Sequence, residues 1–170
     1  MAKKAPAAKK TKSIEYKLKI GDHAPDLEIP ATSGQTLSVT DFKGKGLVLY
    51  FYPKDNTPGC TLEGQDFKRL EKKFKAAGVS ILGVSKDSLK AHEKFKEKCG
   101  FPFELLSDED GKLCKAFDVI QMKSLYGRKF EGIERSTFVI DSKGVVRGEW
   151  RKVKVAGHAE EVLDFVKSEL

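Results

Sequence analysis

The chain has few cysteines, little tryptophan and no long apolar run. Its 170 residues include three cysteines and one tryptophan. No apolar run approaches the roughly 18 residues that cross a bilayer, and the charged N-terminus lacks the apolar core of a secretory signal, so we expect neither feature. The cysteine count is odd, and no metal-binding spacing is visible among the three. We therefore expect reduced thiols, a cytoplasmic location, and no metal or cofactor.

Positive charge is concentrated at the N-terminus. Residues 1–13 contain five lysines and no acid, and removing these charges from the net charge of +7 leaves about +2 for the remainder. The Ala/Lys/Pro-rich composition predicts a disordered tail over residues 1–15. This tail is either a solubilising extension or a weak binder of polyanions, and in a eukaryote it could be a nuclear signal. The remainder, residues 16–170, has the length of one domain.

Short apolar runs alternate with amphipathic segments along this domain. The patterns predict strands over 46–54, 79–85 and 103–107, helices over 61–78, 88–100, 111–119 and 158–170, and a hairpin over 136–150. Residues 14–45 offer turns and room for a short strand. This order predicts an α/β fold with a mixed central sheet and helices on both faces, in which the first crossover joins parallel strands.

Cys60 lies in "PKDNTPGCTLEGQDF", between a predicted strand and a predicted helix. Free N–H groups at a helix start stabilise an anion, and a thiolate is the nucleophilic form of cysteine. Thr57 adds a hydroxyl one turn away, and Pro53 can shield the thiol from water. Free cysteines are often small buried apolar residues, but a polar turn is an unusual place for one. The position therefore leaves a reactive thiol and a buried structural thiol as equal alternatives.

The sequence also limits the classes of reaction that this thiol could carry out. Thr57 occupies the first position of what would be a Cys-x-x-Cys pair, so dithiol exchange within such a motif is excluded. A cysteine hydrolase needs a histidine base, whereas His23, His92 and His158 lie in unrelated segments and are expected at the surface unless folding brings one close. A hydroperoxide needs no base: the thiolate attacks one oxygen, the O–O bond breaks, and a sulfenic acid forms.

These residues match a known family. "PKDNTPGC" fits the peroxiredoxin signature Pro-x-x-x-Thr-x-x-Cys, and the chain resembles the bacterioferritin comigratory protein (PrxQ) subfamily through "GDHAPDLEIPATSG", "LVLYFYPKDNTPGCTLE", "FELLSDEDGKL" and "YGRKFEGIERSTFVID". The resemblance covers nearly everything from about residue 20 onward. It implies a thioredoxin-like fold and thiol-dependent reduction of hydrogen peroxide and organic hydroperoxides in antioxidant defence. The alternatives are a thioredoxin-like binding or chaperone protein without turnover, and a nucleic-acid-associated protein that acts through its tail.

The resemblance also implies roles for individual residues. Cys60 becomes the peroxidatic cysteine, Thr57 the hydroxyl that orients thiolate and peroxide, and Pro53 the wall of the pocket. Arg135, which alone would be interpreted as a surface charge at a strand start, becomes the active-site arginine. A guanidinium near sulfur stabilises a thiolate and orients a peroxide. Glu63 either holds Arg135 in a salt bridge or caps the helix.

The chain departs from the subfamily at the resolving cysteine. Many members carry it five residues after the peroxidatic one, where this chain has Gln65. Cys99, at the end of a predicted helix, is the candidate resolving residue, but it shares an apolar stripe with Phe95, which favours a core role. Cys114 is expected in the core. Without an internal resolving cysteine, thioredoxin, glutaredoxin or glutathione would reduce Cys60 directly. The resemblance implies a monomer.

Overall fold

The computed structural model describes residues 16–170, so the predicted tail over residues 1–15 lies outside it. The strands are β1 Ile29–Ala31, β2 Gln35–Leu37, β3 Gly46–Phe51, β4 Val79–Ser85, β5 Glu104–Ser107, β6 Ile120–Leu125, β7 Arg128–Ile133, β8 Ser136–Ile140 and β9 Val146–Trp150. The α-helices are α1 Pro58–Ala76, α2 Leu89–Cys99, α3 Lys112–Ala116 and α4 His158–Glu169, and a 3₁₀-helix spans Val39–Phe42. None of the described helices is long and apolar enough to cross a membrane.

Seven strands form one mixed sheet in the order β2-β1-β5-β4-β3-β8-β9. Strand β3 lies inside the sheet and pairs parallel with β4 on one side and antiparallel with β8 on the other. The β3–α1–β4 crossover is therefore the parallel connection that the sequence predicted. Strands β6 and β7 form a separate hairpin.

The sheet separates two apolar cores, because alternate side chains of β3 point to opposite faces. Val48 and Tyr50 belong to the core that contains buried residues of α1, α2 and α4. Leu47 and Leu49 belong to the core that contains the buried residues of α3. Helices on both faces of a mixed sheet confirm the predicted α/β class.

Helix α1 differs from its predicted form in two respects. It begins at Pro58, three residues before the predicted start, since proline at the first helical position has the required φ and lacks only an N–H that would be unpaired. Leu62 precedes Phe67, Leu70 and Phe74 at roughly helical spacing, which predicts a position on the apolar stripe, but its side chain is 53% exposed. The buried stripe is formed instead by Glu63, Phe67, Leu70 and Phe74.

Candidate active site

Cys60 is the third residue of α1 and is 2% exposed. The chain reaches it through a tight loop after β3, in which Asn56 takes a left-handed conformation (φ 63°) that asparagine tolerates. Thr57 is the extended residue before the helix, and its hydroxyl donates to the Lys54 carbonyl at 2.9 Å. Half-buried Pro53 opens the same loop. The first turn of α1 thus presents the thiol where free backbone N–H groups favour an anion.

Arg135 reaches this turn from a distant part of the sequence. It directly precedes β8, and β8 pairs antiparallel with β3 so that Ser136 lies opposite Phe51. This register brings Arg135 beside the end of β3, where the loop to Cys60 begins. Arg135 Nη2 donates to Cys60 Sγ at 3.5 Å, and Nη1 donates to Glu63 Oε1 at 2.6 Å.

Gly59 allows this close approach. A Cβ atom at this position would lie 3.2 Å from Arg135 Nη2, tighter than most real Cβ contacts. The residue before Cys60 therefore keeps space for the guanidinium, a requirement that the signature spacing alone does not reveal.

Glu63 is held in an ion pair, so the first of its two predicted roles is the one observed. Its side chain is 1% exposed, and Oε2 has no hydrogen-bond partner among the described residues. Burial raises the pKa of Glu63 to about 7, although Arg135 acts in the opposite direction. For Arg135, burial alone would lower the pKa, but Glu63 and then Cys60 outweigh it and raise the pKa overall. The guanidinium therefore stays charged between a carboxyl group and the sulfur.

Lys123 is a further cation near the site that the sequence did not identify. It extends from β6, and its pKa is lowered by burial and then by the positive charge of Arg135, while Cys60 acts in the opposite direction. No sequence motif identifies a lysine in a largely exposed hairpin, so only the fold shows that this charge lies near the thiol.

The other two cysteines lie on opposite faces of the sheet. Cys99 ends α2 and belongs to the same apolar core as Cys60. Burial raises the pKa of the Cys99 thiol. Cys114 is 0% exposed in the other core, and burial followed by the Asp108 carboxylate raises the pKa of its thiol. All three thiols are free.

Two of the three histidines are buried, which corrects the expectation of surface positions. His92 is 0% and His158 4% exposed, whereas His23 lies at the surface. His158 Nε2 lies 2.8 Å from the Thr137 hydroxyl, and burial lowers the pKa of His158 to about 4. No hydrogen bond within residues 16–170 joins either ring to Cys60, so the site has no histidine base.

Asp55, Asp87 and His92 are the described residues whose potential ligand atoms lie close enough together to hold a metal ion, within 4.8 Å of one another. These atoms already have protein partners. His92 Nδ1 lies 2.6 Å from Asp55 Oδ2, and Asp87 Oδ2 accepts from the Asp55 amide at 2.9 Å. Their geometry is that of a hydrogen-bond network.

A family profile described as the AhpC/TSA family matches residues 20–149. The chain is 51% identical over 150 residues to Peroxiredoxin Bcp of Bacillus subtilis, covering 88% of this chain and 96% of the relative. It is 52% identical over 143 residues to Peroxiredoxin Bcp of Xanthomonas campestris, covering 84% and 89%. The chain belongs to the AhpC/TSA family, in its peroxiredoxin Bcp group.

Solved structures agree with this assignment. A cysteine-to-serine mutant of Xanthomonas campestris Peroxiredoxin Q matches with a TM-score of 0.85 at 48% identity, covering 92% of this chain and all of the other. Peroxidoxin BcpB of Mycobacterium tuberculosis matches with a TM-score of 0.80 at 32% identity, covering 90% and 99%. This peroxiredoxin therefore has the expected thioredoxin-like fold and is a thiol peroxidase, an oxidoreductase.

Proposed function

We propose that Cys60 is the peroxidatic cysteine and that it reduces hydrogen peroxide and organic hydroperoxides. The observation that supports this most strongly is the guanidinium of Arg135, which contacts Cys60 Sγ while Glu63 fixes its orientation. A charged, preoriented donor at a helix start stabilises the thiolate and the negative charge that develops on the peroxide. A solved structure of the Xanthomonas campestris bacterioferritin comigratory protein, to which this chain is similar, concerns the alkyl peroxide reduction activity of that protein.

The proposed reaction needs one displacement. The Cys60 thiolate forms an S–O bond to the terminal peroxide oxygen, and the O–O bond breaks. The sulfur is oxidised to a sulfenic acid and the peroxide is reduced. The departing alkoxide or hydroxide takes up the proton that the thiol released on ionisation, giving alcohol or water. Arg135 orients the peroxide oxygens, the Thr57 hydroxyl orients thiolate and peroxide, and Pro53 shields the site from water.

We further propose that Cys99 resolves the sulfenic acid, with direct reduction by an external thiol as the alternative. The Cys99 thiolate would attack the sulfur of the sulfenic acid and form a disulfide, and the departing hydroxide would take up the proton released by the Cys99 thiol to give water. Thioredoxin, glutaredoxin or glutathione would then reduce the disulfide. Such donors are found in the reducing cytoplasm, where we expect this peroxiredoxin to act as a monomer in antioxidant defence. The Lys-rich tail would add weak polyanion binding.

Removal of the Cys60 thiol tests the proposal directly. We expect Cys60→Ser to abolish thiol-dependent consumption of hydrogen peroxide, because a hydroxyl does not ionise to a comparable nucleophile near neutral pH. Cys114→Ser, on the other face of the sheet, is the control and should keep the wild-type rate in a folded protein. Near wild-type turnover by a folded Cys60→Ser variant would overturn the assignment.

A further inference from the structure

We infer that His92 is a positioning residue that holds the peroxidatic loop in place through Asp55. The inference rests on the proposed role of Cys60, and the site's own contacts do not include His92. The peroxidatic loop is defined here as residues 53–57, which connect β3 to α1. The observation behind this inference is a fully buried histidine whose two ring nitrogens each lie within hydrogen-bond distance of an acceptor, and one of these acceptors belongs to the peroxidatic loop.

The first step concerns the ring itself. His92 Nε2 lies 2.8 Å from the Leu106 carbonyl oxygen, which can only accept, so this nitrogen carries a proton. Nδ1 lies 2.6 Å from Asp55 Oδ2. A buried ring held at both nitrogens cannot rotate without leaving a buried polar atom unpaired, which costs about 1–3 kcal/mol. His92 is thus a fixed support between β5 and the peroxidatic loop.

The second step concerns Asp55, which is the only buried residue of the peroxidatic loop. Its other carboxylate oxygen, Oδ1, accepts from the Tyr52 hydroxyl at 2.7 Å. Burial raises the pKa of Tyr52 well above its usual value, so this hydroxyl remains a donor. The Asp55 amide donates to Asp87 Oδ2 at 2.9 Å. Side chain and backbone together therefore fix Asp55 from three directions.

The third step connects this anchor to the chemistry. Asp55 lies two residues before Thr57 and five before Cys60. The residues on either side of Asp55, Lys54 and Asn56, are exposed. The position of the Thr57 hydroxyl, and the angle at which α1 begins, therefore depend on the Asp55 anchor. A displacement of about 1 Å at a reacting group can cost up to about 10²-fold in rate. Loss of His92 should consequently slow the attack on peroxide without removing any group that touches it.

The test measures the rate at which Cys60 is oxidised in a single turnover. Each variant is mixed with hydrogen peroxide, quenched by alkylation, and assayed for free Cys60 by mass spectrometry. We expect His92→Gln and Asp55→Asn each to lower the second-order rate constant about tenfold. Because His92 acts through Asp55, the double variant should be no slower than either single variant. His158→Gln removes another buried, hydrogen-bonded histidine and is the matched control, with a rate expected within about twofold of wild type.

Circular dichroism and denaturant unfolding establish which variants are folded. A folded His92→Gln variant with the rate of His158→Gln, or effects of His92→Gln and Asp55→Asn that multiply in the double variant, would overturn the inference. If neither substitution gives a folded protein, Tyr52→Phe is tested instead, because it removes one hydrogen bond from Asp55 and keeps the aromatic ring at position 52. A lower rate constant for Cys60 oxidation in Tyr52→Phe supports the anchor, and an unchanged rate constant contradicts it. Failure of the proposed function is distinct, since it would appear as peroxide consumption by Cys60→Ser.

Discussion

Glu63 combines two properties that are seldom found together in a surface helix: a carboxyl group that is almost fully buried, and one oxygen of it with no hydrogen-bond partner in the described chain. The ion pair with Arg135 only partly offsets the cost of burying the charge, and the pKa of Glu63 therefore rises to about 7. The arrangement holds the guanidinium beside Cys60 at some expense of stability. Ion pairs of this kind often stabilise less than an apolar pair of the same shape would.

The destabilisation caused by the buried Glu63 carboxylate should be visible as a pH dependence of stability. The folded state holds the Glu63 proton more tightly than the unfolded chain, in which the pKa is near 4.5. The contribution of this group to the free energy of unfolding is therefore fully present below about pH 4.5 and is lost as the pH rises through about 7. We expect wild type to lose on the order of 3 kcal/mol relative to Glu63→Gln across this range.

Urea unfolding of both proteins at several pH values between 4 and 8 measures the difference. Glu97→Gln, at an exposed position of α2, is the control for removing a carboxylate from the surface. A difference between wild type and Glu63→Gln that stays constant with pH would contradict the prediction.

Sequence alone predicted the residues of the site that belong to a linear motif or a quoted family segment: Pro53, Thr57, Cys60 and Arg135. It predicted neither the anchor formed by Asp55 and His92 nor the nearby charge of Lys123. A buried polar residue is recognisable only by its partners, and those of His92 come from a loop and from β5. Such residues follow no period along the chain, so hydrophobic patterning cannot detect them.

At the scale of elements, the end of α2 is attached to α1 by side chains. The Cys99 carbonyl accepts from Lys68 Nζ at 2.9 Å and from Gln65 Nε2 at 3.5 Å. Gln65, at the position where the family resemblance led us to look for a resolving cysteine, contacts the backbone of Cys99, the residue proposed for that role. A disulfide requires the two Cα atoms within about 7 Å, and we expect the last turn of α2 to open when Cys99 reaches Cys60.

This attachment predicts how resolution responds to mutation. After one equivalent of hydrogen peroxide, mass spectrometry should show a Cys60–Cys99 disulfide. Lys68→Ala should form it about fivefold faster, because losing a hydrogen bond worth about 1 kcal/mol favours the open state. Opening also exposes Cys99 to water and removes the burial that raises the pKa of its thiol. Lys72→Ala, exposed on the same helix, is the control.

A persistent sulfenic acid in wild type would contradict resolution by Cys99 and favour direct reduction by an external thiol. A Cys60–Cys114 disulfide would contradict the separation of the two cores by the sheet. Equal rates for Lys68→Ala and Lys72→Ala would show that the contact with the Cys99 carbonyl does not limit opening.

The predicted elements were those whose side chains are buried in a regular pattern. Strands β3 and β4 are continuous apolar runs, and the structure confirms them. The β6–β7 hairpin was not predicted, because most of its residues are exposed and the alternation of apolar and polar side chains in β6 ends after the four residues from Ile120 to Lys123. Strands β1 and β2 have only three residues each, too few to establish a period. Strand β1 joins the sheet through the pairing of Ala31 with Leu106 of β5, a contact that only the fold provides.

At the scale of the whole molecule, charge and catalysis are divided between different parts of the chain. Residues 1–13 carry five lysines and no acid, while the remainder is close to neutral. The described part begins at Tyr16, whose hydroxyl donates to Glu134 at 2.6 Å and whose ring lies 3.8 Å from the Arg151 guanidinium carbon. Tyr16 thus joins the domain beside the residue that precedes Arg135. A truncation from the N-terminus that preserves this contact has to end before Tyr16.

Deletion of residues 1–13 should therefore separate two properties. We expect the rate of peroxide consumption to stay at the wild-type value, because the site is built entirely from residues after this point. Retention on a DNA column should fall, and the slope of log affinity against log salt should decrease by about 4, since up to five lysines no longer displace counterions. A variant with these five lysines replaced by glutamine should behave like the deletion if charge, and not length, is responsible. Loss of turnover in the truncated protein, or DNA retention with an unchanged salt slope, would show that the tail acts in another way.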